Sequence, residues 1–189
     1  LTILTSHRRQ SFYNNLHFNY GGDLGLGVNP KLIERINKSD YLVLLGGRLS
    51  ENPSQGFSLL GIPEHNKKFV HIHPGPEEIG RIYKPHLGIA CSPISFVNAL
   101  NNALKGLNVK PSSQNQVLAN QAHEEYLEWG NMPLEAPNSG VDLTTAFRNL
   151  RENLDANTII TNGAGNYAVW GHRLFRFTNF GTQLAPISG

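Results

Sequence analysis

A single cysteine in 189 residues, Cys91, excludes an internal disulfide framework and fits a reducing compartment. It lies in the apolar run LGIAC, where the expected role is a small buried hydrophobe rather than a nucleophile. Charge is sparse too: Asp, Glu, Lys and Arg make up 16% of the chain, and 16 basic against 14 acidic side chains leave +2. Those basic residues are scattered, so no nucleic-acid partner is expected. No apolar stretch approaches the roughly 20 residues that cross a bilayer and no leader-like segment opens the chain, so the expectation is a cytoplasmic protein with no membrane partner. No Ser, His and Asp order and no Cys and His pair stands out, and His71 with His73 lack a third ligand at metal-site spacing. No catalytic or metal-binding residue is therefore assigned.

What is present is the patterning of an α/β protein, and 39% hydrophobic residues are enough for a core. The stretch Asp40 to Arg48, DYLVLLGGR, organises the rest. Leu42 to Leu45 are apolar without alternation, which predicts a parallel strand covered on both faces. Gly46 and Gly47 then turn the backbone at the strand's carboxyl end, where open α/β sheets place ligands. Before this stretch, LTILT reads as a strand, and the polar segment after it, with glycines at 21, 22, 25 and 27, reads as a long shaped loop. Asn29 and Pro30 start a helix bearing Leu32, Ile33 and Ile36. After Arg48 come a strand at Phe69 to His73, a helical turn over Glu77 to Arg81, the strand LGIAC, and a helix capped by Ser92 with Phe96, Val97, Leu100 and Leu104 at helical spacing. This order predicts a doubly wound parallel sheet.

The second half carries two linker-like stretches, Val109 to Asn115 and Asn131 to Gly140, on either side of a helix from Val117 to Trp129 whose apolar side holds Leu118, Ala122, Tyr126 and Trp129. Asp142 caps a further helix with Leu143, Phe147, Leu150 and Leu154, and TIIT follows as a strand. That strand runs into NGAGNY, with a helix predicted from Tyr167 to Phe177.

Two turns can receive an anionic ligand through backbone amides. One is Gly46, Gly47 and Arg48, where a guanidinium assists; the alternative is a tight strand exit with Arg48 paired to a nearby acid. The other is NGAGNY, whose small residues allow close approach to phosphate but do not match the dinucleotide fingerprint. His71 and His73 are expected at a solvent-facing strand end, and His7, Arg8 and Arg9 in a solvated loop.

The blocks YGGDLGLGVNP, SDYLVLLGGRLSE and VHIHPGPEEIGRIYKP, in this order and spacing, resemble the central domain of thiamine-diphosphate-dependent enzymes of the acetolactate synthase type. The stretch from Val141 to Gly189 is similar to the opening of that family's cofactor-binding C-terminal domain. The resemblance implies a central domain over 1–106, a linker with one helix over 107–140, and the start of the cofactor-binding domain over 141–189, both domains α/β and truncated. The first strand of the central domain would precede Leu1, leaving LTILT without a neighbour, so the chain either closes the gap or recruits another chain. The resemblance further implies thiamine diphosphate held at Gly163, Gly165, Asn166, Tyr167 and Gly189, Mg2+ held by residues outside this chain, a 2-oxo acid substrate, a homodimer or homotetramer, and a fragment that is silent by itself. His73, Pro74 and Gly75 stand where flavin-binding relatives have an acidic strand end, which argues against FAD, while Gly46, Gly47 and Arg48 leave a nucleotide open. The rival readings are a nucleotide-binding module of FAD or NAD type and a non-catalytic interaction domain.

Overall fold

The computed structural model describes residues 1–132 and 138–186. In chain order the elements are β1 (Ile3–Ser6), β2 (Tyr20–Leu24), α1 (Pro30–Lys38), β3 (Tyr41–Leu45), β4 (Lys68–His73), β5 (Leu87–Ala90), α2 (Pro93–Leu104), α3 (Ser113–Asn131), α4 (Leu143–Asn153), β6 (Ile160–Thr161), α5 (Ala168–Leu174) and β7 (Gln183–Leu184). Every ladder is parallel: β1 with β2, β3 with β4 with β5, and β6 with β7. The chain is thus α/β, parallel sheets with flanking helices, and it divides into two compact units, Leu1–Leu32 with Ser113–Gly189, and Ile33–Ser112.

In the first unit the predicted loop contains a strand. β2 is YGGDL and pairs with β1 from Tyr20 to Leu24, with an irregular register between Ile3 and Leu4 that accommodates Gly21. Glycine is what permits this. A Cβ on Gly21 would lie 2.6 Å from Thr2 Cγ2, and Gly22 sits at φ +122, a bulge conformation that a side chain opposes. The same bareness lets α3 lie close, and its buried residues are Ala119, Ala122, Tyr126 and Gly130. The apolar face is therefore shifted from the predicted one, and Leu118 is left exposed. The other edge of β1 has no strand partner among the described residues.

In the second unit β4 holds the core, with Phe69 and Ile72 fully buried and Leu49, Leu59, Leu60 and Tyr83 buried in the connecting segments. Here the expectation of a strand covered on both faces fails. Tyr41, Val43 and Leu45 of β3 are 62%, 51% and 43% exposed. α2 meets β4 but buries none of its own residues, so the apolar stripe of Ile94, Val97, Leu100 and Leu104 stays exposed as well. The cap at its start is as predicted: the Ser95 amide donates to Ser92 Oγ at 3.1 Å, with Pro93 next in the chain. Ser92→Ala should cost about 1 kcal/mol in urea unfolding.

Three further expectations are corrected. His71 and His73 are buried: His71 Nε2 donates to the Gly47 carbonyl at 3.0 Å, and the Gly75 amide donates to His73 Nδ1 at 3.0 Å. His7 and Arg8 are buried, with Arg8 Nη1 donating to the Pro186 carbonyl, so this cluster is no solvated loop. Cys91 is half-buried rather than enclosed. None of the described helices is long and apolar enough to cross a membrane.

Candidate functional site

The turn after β6 is exposed from Gly163 to Tyr167. Its shape is set by Tyr167, whose ring folds back over it, and the Gly163 amide donates to the Tyr167 hydroxyl at 2.9 Å. A Cβ on Gly163 would stand 2.6 Å from that hydroxyl, and one on Gly165 would stand 2.5 Å from ring carbon Cε1. Both positions must therefore be glycine for the ring to lie where it does. The amides of Ala168, Val169 and Trp170 donate back to the carbonyls of Gly165, Asn166 and Tyr167, each at 3.1 Å. The amides of Gly165, Asn166 and Tyr167 themselves meet no acceptor among the described residues. An exposed row of unpaired donors suits the oxygens of a diphosphate. One detail differs from the sequence reading. The helix runs over Ala168–Leu174 only, not from Tyr167 to Phe177, and its leading amides are already bonded, so loop amides rather than a helix end face a ligand. Gly189, the remaining residue assigned to the cofactor, lies outside the described residues.

The second candidate turn is arranged differently. Gly46 sits at φ +71 with a would-be Cβ 2.7 Å from Pro93 Cγ, and its amide donates to the Ile72 carbonyl at 2.8 Å, prolonging the sheet. The Gly47 carbonyl accepts from His71. Arg48 Nε lies 3.4 Å from Glu78 Oε1, and Arg81 Nη1 lies 3.2 Å from the same oxygen. The hollow lined by Arg48, His71, Glu78, Arg81 and Tyr83 measures about 10 Å³, room for a water at most. This is the geometry of a strand exit with its arginine facing an acid.

Sequence reasoning passed over a buried polar group in the first unit. Tyr20 is fully buried, its hydroxyl 3.0 Å from Thr5 Oγ1, and its ring meets Tyr126 edge-on at 4.8 Å. The Arg176 guanidinium lies over Tyr126, 4.4 Å from the ring centroid. Burial pushes the Tyr126 phenol up to about 12 and the Asp23 carboxyl up to about 7, with Gln10 and Arg176 only partly opposing the latter. His172 is driven down to about 4 by burial and by His7 and Arg8. A lone acid inside a glycine-rich segment and a histidine among the apolar residues of α5 were the available signals.

Residues 1–100 match the family described as thiamine pyrophosphate enzyme, central domain. Acetolactate synthase 2, chloroplastic, of Brassica napus is 26% identical over 152 residues, covering 75% of this chain and 21% of that protein. Acetolactate synthase 1, chloroplastic, of Oryza sativa subsp. japonica is 24% identical over 144 residues, again 75% of this chain and 21% of that protein. The chain thus spans about a fifth of the length of these relatives. With more than half of its residues inside that match, the chain belongs to the thiamine pyrophosphate enzymes and carries their central domain.

Proposed function

We propose that this chain is part of a thiamine-diphosphate-dependent enzyme acting on 2-oxo acids, by carboligation or decarboxylation of the acetolactate synthase kind. In this reading 1–106 form the central domain, 107–140 the linker and 141–189 the start of the cofactor-binding domain. Thiamine diphosphate, when bound with Mg2+, supplies the electron sink that such chemistry needs. The contribution of this chain is to bind: the amides of Gly165, Asn166 and Tyr167 receive phosphate oxygens, and Tyr167, through Gly163, holds the turn open. No motif here matches the family's activating glutamate or its metal-binding signature, so the chain is inactive alone, and the parent is a cytoplasmic homodimer or homotetramer. The observation that carries the reading is the exposed turn with unpaired amides in a chain of this family.

Titration calorimetry of the chain with thiamine diphosphate and Mg2+ tests it. Gly165→Val should weaken binding by more than about tenfold, because the added side chain collides with the Tyr167 ring. Heat from FAD or NAD with none from thiamine diphosphate would instead support the nucleotide module, and the pairing of Arg48 with Glu78 weighs against that result.

A further inference from the structure

In the first unit a cavity of about 20 Å³ is lined by residues that include Asp23, Asn29, Tyr126, Trp129, His172 and Arg173. It has room for one or two water-sized bodies and excludes anything as large as a nucleotide. Two of these side chains bring donors with nowhere to go. His172 is 6% exposed, and neither of its ring nitrogens has a hydrogen-bond partner. Arg173 is fixed by its Nε, which donates to the Trp129 carbonyl at 2.9 Å, and by its guanidinium, 3.7 Å from the Trp129 ring centroid. Its Nη2 is nonetheless buried and unpartnered. No ion pair to Arg173 is formed among the described residues.

A buried donor left unpaired costs about 1–3 kcal/mol, and more when charged. A water could satisfy one hydrogen bond here, but it would not balance a guanidinium held in place against an aromatic ring. We propose that this cavity is a small-anion site, taking a chloride ion or a single carboxylate group, with Arg173 Nη2 and a ring nitrogen of His172 as its donors. The site is separate from the exposed Gly163–Tyr167 turn and does not depend on the thiamine reading.

One lining residue opposes an anion. Asp23 faces Gln10, Tyr20, Tyr126 and Arg176, while His172 faces His7 and Arg8, and Arg173 lies near Arg148. Burial holds Asp23 protonated up to about pH 7, so the cavity is net positive below that pH and loses the advantage above it.

Chloride NMR line broadening on the whole chain tests the site, with formate and pyruvate as competitors. Broadening is expected at about pH 6 and should fall several-fold at about pH 8, where Asp23 is ionised. Displacement by either acid assigns a carboxylate as the occupant, and resistance to both assigns a halide. Arg173→Gln should abolish the broadening with the circular dichroism intact. Should that variant not fold, Asp23→Asn should keep the broadening at about pH 8. Absence of broadening in the unmodified chain, persistence in folded Arg173→Gln, or its loss in folded Asp23→Asn would each overturn the site.

Discussion

Phe69→Ala is expected to cost about 3–5 kcal/mol and to melt the three-stranded unit ahead of the rest of the chain. Phe69 is fully buried on the central strand, β4. Its ring centroid lies 5.5 Å from that of His65, 5.6 Å from His71 and 6.4 Å from Tyr83. Truncation would leave a ring-sized void with aromatic walls, and β3 and α2 carry too few buried residues to collapse into it. The loss is large against the roughly 5–15 kcal/mol that stabilises a whole domain. Both tryptophans, Trp129 and Trp170, belong to the other unit, so tryptophan fluorescence follows that unit while circular dichroism follows both. In urea the variant should lose ellipticity first and its tryptophan signal later. If the two probes move together at a shifted midpoint, the independent melting of this unit is wrong.

The second expected result is an opposed pair of pH slopes from Asp23 and His172. Asp23 rises from 3.8 to about 7, so between those values the native state keeps a proton that the unfolded chain has released. Its contribution to stability therefore falls as pH climbs through that window, by up to about 4 kcal/mol, and by less where the half-buried residue still meets solvent. His172 drops from 6.5 to about 4, so in that range the unfolded chain binds a proton that the native state refuses. That contribution falls as pH decreases, by up to about 3 kcal/mol. Burial lowers His7 and His71 in the same direction. In the unmodified chain the two trends offset, and the acid-side profile should be shallow. Asp23→Asn removes one of them: stability above pH 7 should rise by about 1–3 kcal/mol and the loss toward pH 4 should steepen. His172→Gln should tilt the profile the other way. Melting curves from about pH 4 to about pH 8 decide this, and an Asp23→Asn profile parallel to the parent's would show that Asp23 ionises freely in the fold.

Most of the local structure was legible before any coordinates. The cap and proline at Asn29 and Pro30 open α1, Ser92 and Pro93 open α2, and Asp142 opens α4, accepting from the amides of Thr144 and Thr145. The strands β3 and β5 fall within the apolar runs that announced them, and β4 begins one residue before its run, at Lys68. The exposed, glycine-rich turn was readable from NGAGNY, although the way the Tyr167 ring packs against both of its glycines was not. These signals are local: a cap, a periodicity or a glycine is specified by residues a few positions apart, so the amino-acid order alone determined most of the elements and the family.

What only the tertiary structure decided is which polar groups are enclosed and which apolar ones are not. Arg8 Nη1 donates to the carbonyl of Pro186, and Asn15 donates to Gln10 while accepting from the amide of Phe177. No window along the chain joins such partners. The strand at Tyr20–Leu24 fits because Gly21 leaves room for Thr2, Leu4 and Ala122, and β3 keeps an exposed face although its residues are apolar. Burial and pairing are properties of residues distant in the chain, and composition and spacing carry no record of them.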